Sequence, residues 1–326
     1  MRREKKSIVG DAEIPVVASE PEAGYRKSIS ETRFPSRIPA ATLRDVIFSV
    51  ETQTQFDECL AKIRFHKKIY VEWGFAEVDP LGRSSVLNFY GPPGTGKTLA
   101  AEGLAGTLGL PIIQISIADL ESKYMGDTAK NIQIAFQAAQ DCGGLLFFDE
   151  ADTLLGQRLS SVTQGIDNEV NAMRSTLLIE LERFDGIVVF ATNFAKNYDV
   201  AFRSRITHHI RFSLPDIAAR VRLWKRMLLP GIPIAGDRQE LAQQCAALSE
   251  HLSGREIRTA MRLALPKALI AAEKARLPAM LAIENLQEAI TQIRAAQAEV
   301  ASQAGTAHGQ AALAKQLLGV KTIEEK

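Results

Sequence analysis

The sequence predicts an α/β fold, a parallel sheet covered on both faces, followed by a small all-helical unit. Three observations lead there. Short apolar runs at 86–89, 112–115, 145–148 and 187–190, with a weaker one at 209–212, alternate with helical segments, as strands buried on both faces do. The first run ends in Gly91-Pro92-Pro93-Gly94-Thr95-Gly96-Lys97-Thr98, a glycine loop leading into an Ala/Leu-rich stretch that begins at Leu99. From residue 216 onward the apolar spacing is helical.

Composition narrows the classes. The 326 residues allow one large and one smaller domain, and 46% hydrophobic with 24% charged residues is ordinary for a globular protein. A net charge of +1 gives no global attraction to nucleic acid or anionic membrane. Cys59, Cys142 and Cys245 lie far apart without a C-x-x-C pair, which argues against a disulfide framework or a zinc site and fits a reducing compartment. His208 and His209 are adjacent, so a strand would turn them to opposite faces, a poor chelating pair. The basic start is not followed by the apolar stretch of a secretory signal, and no run of 18 apolar residues occurs. A cytoplasmic protein without a membrane span is expected.

Taken in order, residues 1–40 carry Pro15, Pro21, Pro35 and Pro39 and no period, and are read as a flexible arm, a linker or a docking peptide. Residues 41–215 form the expected α/β domain. It opens with a helical pattern over 54–71 (Phe56, Leu60, Ile63, Ile69), and its clearest later helix covers 128–140, with Ile132, Ala135, Phe136 and Ala139 on one face. Residues 216–301 form the helical domain. Asp216 is placed to cap a helix through 229, and further helices are expected over 239–248, 254–275 (with Pro266 inside) and 283–300. Residues 302–326 are left as a tail or terminal helix.

The loop at 91–98 is where chemistry becomes readable. Its glycines let backbone N–H groups turn toward a phosphate chain, and the following helix adds its N-terminal dipole. Lys97 would reach the β- and γ-phosphates of a nucleotide and Thr98 would hold Mg²⁺ through its hydroxyl. Leu145-Leu146-Phe147-Phe148-Asp149-Glu150 is a buried strand ending in two carboxylates: Asp149 would support the metal shell, and Glu150 would polarise an attacking water. Asn193 ends the run Phe190-Ala191-Thr192 and could orient that water. Arg203 and Arg205, before the weak last strand, suit phosphate oxygens supplied by a neighbouring subunit. Arg255, in Ser253-Gly254-Arg255-Glu256, opens a helix from which it could reach the nucleotide.

In this order, GPPGTGKT, LLFFDEAD, ATN, AFRSRI and SGREI resemble the AAA branch of the AAA+ ATPases, the group with katanin, spastin and Msp-type extractors, over about residues 43–300. The resemblance implies a P-loop NTPase with a five-stranded parallel sheet, a helical lid and a ring, usually of six identical subunits, with ATP/ADP and Mg²⁺ bound between neighbours. Carried over by position, Gly91, Pro92, Pro93, Gly94, Thr95, Gly96, Lys97, Thr98 and Leu99 bind nucleotide, and Thr98 and Asp149 serve the metal. Glu150 is the catalytic carboxylate, Asn193 the first sensor, Arg205 the trans-acting finger and Arg255 a second sensor. Val46 and Ile47 fall in the adenine-contacting segment. Where many members carry a second arginine finger, this chain has His208, so either Arg203 substitutes or one finger suffices. Lys123, Tyr124 and Met125 fall where the family carries its first pore loop, and 159–168 where it carries the second.

The resemblance therefore implies a motor that remodels, unfolds or disassembles protein substrates, directly or through an adaptor, by drawing polypeptide past Tyr124. The alternative is an AAA+ nucleic-acid loader or a replication or transposition helper. Asp149-Glu150-Ala151-Asp152 spells DEAD, but helicases of that name need two RecA-like domains. Only one phosphate loop occurs here, without a basic patch, aromatic stacking series or added DNA-binding domain, so nucleic acid is not the expected partner. A passive nucleotide-dependent scaffold conflicts with the intact Glu150.

Overall fold

The computed structural model describes residues 33–79, 84–120, 127–156, 166–193 and 199–299. Five parallel strands form one sheet: β1 (Ser85–Tyr90), β2 (Ile112–Ile115), β3 (Leu145–Phe148), β4 (Ile187–Thr192) and β5 (His208–Arg211), in spatial order β2-β3-β4-β1-β5. The expected runs are these strands, and the side-chain alternation explains why they read as continuous. Val86, Ile113, Leu146, Phe148, Val188 and Phe190 face one hydrophobic cluster, whereas Leu87, Phe89, Ile112, Leu145, Phe147 and Val189 face the other. In β1, β3 and β4, where both faces are dry, each apolar position contributes about 1.5–3 kcal/mol of burial, so no polar alternation is selected. Asn88 is the exception in β1: it is fully buried, pairs in register with His209, and its Nδ2 lies 3.4 Å from the His209 Nδ1.

The first helix, α1 (Val50–Arg64), begins four residues before the expected pattern because Ser49 caps it, its Oγ accepting from the Thr52 N–H. Its continuation at Lys67–Glu72 is a π-helical turn. The loop helix α2 (Lys97–Leu108) is followed by the short α3 (Ile117–Leu120), α4 (Asp127–Cys142), the short α5 (Asp152–Leu155), α6 (Ile166–Arg183) and the short α7 (Val200–Arg203).

The arm expected over residues 1–40 lies outside the described residues up to residue 32, but its end is seated on the body. Phe34 is buried, and the Arg37 backbone pairs with Ile112. The Arg37 guanidinium meets Glu102 of α2 at 2.6 Å, and the Ala40 N–H donates to the same carboxylate at 3.0 Å. Gly106 of α2 permits this approach, since a Cβ there would stand 2.0 Å from the Ala41 carbonyl oxygen.

Beyond the sheet, α8 (Ile217–Met227), α9 (Arg238–Leu248), α10 (Gly254–Ala275) and α11 (283–299) gather around a third cluster centred on Trp224, whose Nε1 donates to Ser249 Oγ at 2.8 Å. Each of the first three has a side-chain cap: Asp216 accepts from the Ala219 N–H, Asp237 from the Gln239 and Glu240 N–H groups, and Ser253 forms a reciprocal box with Glu256.

Candidate nucleotide-binding site

A cavity of about 520 Å³ lies where the β1–α2 loop, the ends of β3 and β4, residues 45–49, and helices α8 and α10 meet. Its floor is the glycine loop. Gly94 has φ +76°, and a Cβ there would lie 2.8 Å from both Arg255 Cβ and Ser253 Oγ, so only glycine lets α10 seat against the loop. The Arg255 N–H donates to the Gly94 carbonyl at 3.1 Å, fixing that contact.

Lys97, in the first turn of α2, is buried. Its Nζ donates to the carbonyls of Gly91 at 2.7 Å and Pro92 at 2.9 Å and to Asn193 Oδ1 at 3.0 Å. Burial lowers its pKa, the carboxylates of Asp152 and Asp149 oppose that shift, and Arg255 adds to it. The Asn193 N–H donates to Asp152 Oδ1 at 3.0 Å, so Asp152 holds the residue that in turn meets Lys97. Asp149 Oδ2 accepts from Thr98 Oγ1 at 3.1 Å and from Gln114 Nε2 at 3.4 Å.

Glu150 is exposed on the cavity wall with φ +54°, a left-handed conformation that costs a non-glycine residue about 1–3 kcal/mol. Its N–H donates to Asp149 Oδ1 at 3.0 Å.

The expected residues Val46, Ile47, Pro93, Gly94, Thr95, Gly96, Lys97, Thr98, Leu99, Asp149, Glu150, Asn193 and Arg255 all line this cavity. Gly91 and Pro92 do not; they act through the carbonyls that hold Lys97. Arg203 and Arg205 also lie outside it. Arg203 is exposed, and Arg205 is ion-paired with Glu182 of α6 while donating to the Ala201 carbonyl at 2.8 Å. Lys123, Tyr124 and Met125 fall outside the described residues, as do 159–165 of the second expected pore loop.

Sequence reasoning missed Gln114, Asp152, Phe212, Leu223, Arg226 and Arg258. Gln114 had a readable signal, a lone amide in the run Ile112–Ile115, and Asp152 stands three residues after Asp149. The others come from distant segments and carry no local mark. The oxygens of Thr98 and Asp149 form a hard, incomplete donor set of the kind Mg²⁺ takes when phosphates and water complete its shell. Among the described residues no cluster of three or more His, Cys, Asp or Glu side chains offers an alternative metal site.

Residues 87–214, from β1 to just beyond β5, match the family described as ATPase family associated with various cellular activities (AAA). A putative 26S proteasome regulatory subunit homologue of Methanocaldococcus jannaschii is 30% identical over 277 residues, covering 81% of this chain and 71% of that protein. The chain belongs to the AAA ATPase family. Other similar AAA ATPases include an uncharacterised one of Sinorhizobium fredii, 36% identical over 48% of this chain and 46% of its own length. Spastin of Drosophila grimshawi is 34% identical over 52% of this chain and 22% of its own length. The chain thus spans less than half of these last two relatives. As an AAA ATPase it carries the five-stranded parallel sheet that the motifs implied, and the residues gathered at the cavity fall on the loop and strand ends of that sheet. No helix among the described residues is long and apolar enough to cross a membrane.

Proposed function

We propose that this AAA ATPase binds ATP and Mg²⁺ in the cavity and couples ATP hydrolysis to ADP and phosphate to remodelling of a protein substrate. The observation that carries the reading is the convergence of Lys97, the Thr98–Asp149 pair, Glu150 and Asn193 on one wall. In it, the glycine-loop N–H groups and Lys97 bind the phosphates, and Thr98 with Asp149 holds the metal, which supplies charge neutralisation on the phosphate oxygens. Glu150 takes the proton of the attacking water, and Asn193 orients that water. Val46 and Ile47 border the base, and Arg255 reaches the phosphates from the helical domain, taken as residues 216–301.

Arg205, with Arg203 beside it, serves the site of a neighbouring subunit in a homo-oligomeric, most simply hexameric, cytoplasmic ring. Their position outside their own chain's cavity supports this assignment. Lys123, Tyr124 and Met125 grip the polypeptide, delivered directly or by an adaptor. Support for a protein substrate comes from the relatives, among them a proteasome regulatory subunit homologue and spastin.

The test is the full chain carrying Glu150→Gln. It is expected to bind ATP, to lose turnover by about 10²–10⁴-fold, and to retain a bound protein client when isolated with ATP. Turnover at the wild-type rate removes Glu150 from its role. An ATPase stimulated by DNA rather than by a polypeptide overturns the protein-remodelling reading.

A further inference from the structure

The part of the cavity assigned to the base is bordered by Val46 and Ile47, and the backbone on each side of that pair is held by one helix. Arg222 and Arg226 stand one turn apart on α8, on the same face. Arg222 Nη2 donates to the Phe48 carbonyl, and Arg226 Nη1 donates to the Asp45 carbonyl. Arg226 Nη2 also lies 3.5 Å from Asp45 Oδ1. The bonded carbonyls therefore bracket Val46–Ile47. On its other side the segment is tied to the loop helix: Thr42 donates to Asp45 Oδ2 from its N–H at 2.8 Å and its Oγ1 at 3.0 Å, and the Leu43 N–H donates to Thr107 Oγ1 of α2 at 2.9 Å.

We infer that Arg222 and Arg226 form a clamp that fixes the height and tilt of Val46–Ile47, making them positioning residues for the nucleobase. The inference rests on the reading that this end of the cavity takes the base. Both side chains are exposed, so apolar burial does not dictate where their guanidinium groups lie. Each gives a charged donor to a carbonyl flanking Val46–Ile47, between the 3-10 turn at Leu43–Asp45 and α1, where such bonds help set the conformation. Because the clamp comes from α8, it also ties the base-bordering segment to the helices around Trp224, which include α10 and its Arg255. A base seated on Val46–Ile47 would then favour one position of those helices over others.

The test compares two probes on the full chain with Mg²⁺ present: ATP, and inorganic tripolyphosphate, which lacks the base. Wild type is expected to bind ATP the more tightly. In the Arg222→Ala/Arg226→Ala double variant the ATP Kd should rise about tenfold, from the loss of two charge-assisted bonds, while the tripolyphosphate Kd stays within about twofold. The Arg222→Lys/Arg226→Lys variant, which keeps a charged donor at each place, should recover part of the lost affinity. An unchanged ATP preference in the double alanine variant overturns the clamp. Equal loss of affinity for both probes overturns it as well, because the arginines would then act on the whole fold. A wild-type chain that binds ATP no more tightly than tripolyphosphate overturns the reading of the base end itself, before any variant is compared.

Discussion

Gly106→Ala sets two effects of opposite sign against each other in α2. Helix propensity alone favours the change, since alanine in a helix interior is better than glycine by about 0.8–1 kcal/mol. Contact with the strap at 37–43 opposes it. The added Cβ would stand 2.0 Å from the Ala41 carbonyl oxygen, whereas ordinary contact begins near 3.4 Å, so the strap must retreat by about 1.4 Å. A backbone carbonyl has no rotamer through which to escape. A retreat of that size breaks the bonds from the Ala40 N–H to Glu102 at 3.0 Å and from the Leu43 N–H to Thr107 at 2.9 Å, together about 2 kcal/mol. It also loosens the packing of buried Ala41, about 1 kcal/mol more. The cost exceeds the gain, and a net destabilisation of roughly 2 kcal/mol is expected. Urea denaturation followed by circular dichroism reads it as a lower midpoint at unchanged slope. A variant as stable as wild type, or more stable, would refute the seating of the strap on α2.

Two further outcomes follow from the geometry. If sites are shared between subunits, Arg205→Ala should lower ATP turnover by about 10³-fold or more, as loss of an arginine finger does, and an equimolar mixture with Lys97→Ala should regain measurable activity; a mixture as inactive as its components rejects the shared site. His208 and His209 both have pKa values below the ordinary histidine value, His208 through burial and then Lys62, His209 through burial and then Arg203. The folded state thus resists protonation that the unfolded chain accepts, so their contribution is present above about pH 6.5 and is lost as pH falls through the lowered folded values. The urea midpoint should drop between pH 7.5 and 5.5, and His208→Gln/His209→Gln should flatten that drop; equal slopes for the variant and wild type reject the two histidines as its source.

The sheet was legible in the sequence because its signal is local. Three of the five strands, β1, β3 and β4, are runs buried on both faces, and the loop, Asp149, Glu150 and Asn193 sit at their ends, so finding the strands finds the site. The helical caps were legible for the same reason: Asp216 acts within three residues of its own position. One local cap escaped: Ser49 moves the start of α1, yet the apolar period could register only from Phe56 onward. The other features that escaped were non-local. Arg222 and Arg226 look like the solvated face of an amphipathic helix, and only the fold brings them to carbonyls more than 170 positions earlier in the chain. Asn88 sits inside an apolar run where nothing local marks its approach to His209; that pairing follows from the register of β1 against β5.

Charge balance at the cavity bears on why one chain is insufficient on the proposed reading. Its wall carries four cations, Lys97, Arg226, Arg255 and Arg258, against three carboxylates, Asp45, Asp149 and Glu150. One of those cations is already committed, since Arg226 meets Asp45 at the base end. Lys97 lies within the field of Asp149 and Asp152. With Asp152 included, the three remaining cations, Lys97, Arg255 and Arg258, face three carboxylates, Asp149, Glu150 and Asp152, and a triphosphate would gain little net attraction from side chains alone. Loop N–H groups and the α2 dipole can hold the resting phosphates, but charge that builds on the γ-phosphate during transfer needs a further cation there. A metal at Thr98–Asp149 is one source. Arg205 is the other, provided it belongs to the next subunit. In its own chain its guanidinium is paired with Glu182 and donates to the Ala201 carbonyl at 2.8 Å, outside its own cavity. On that reading, an arginine supplied from outside would tie turnover to assembly.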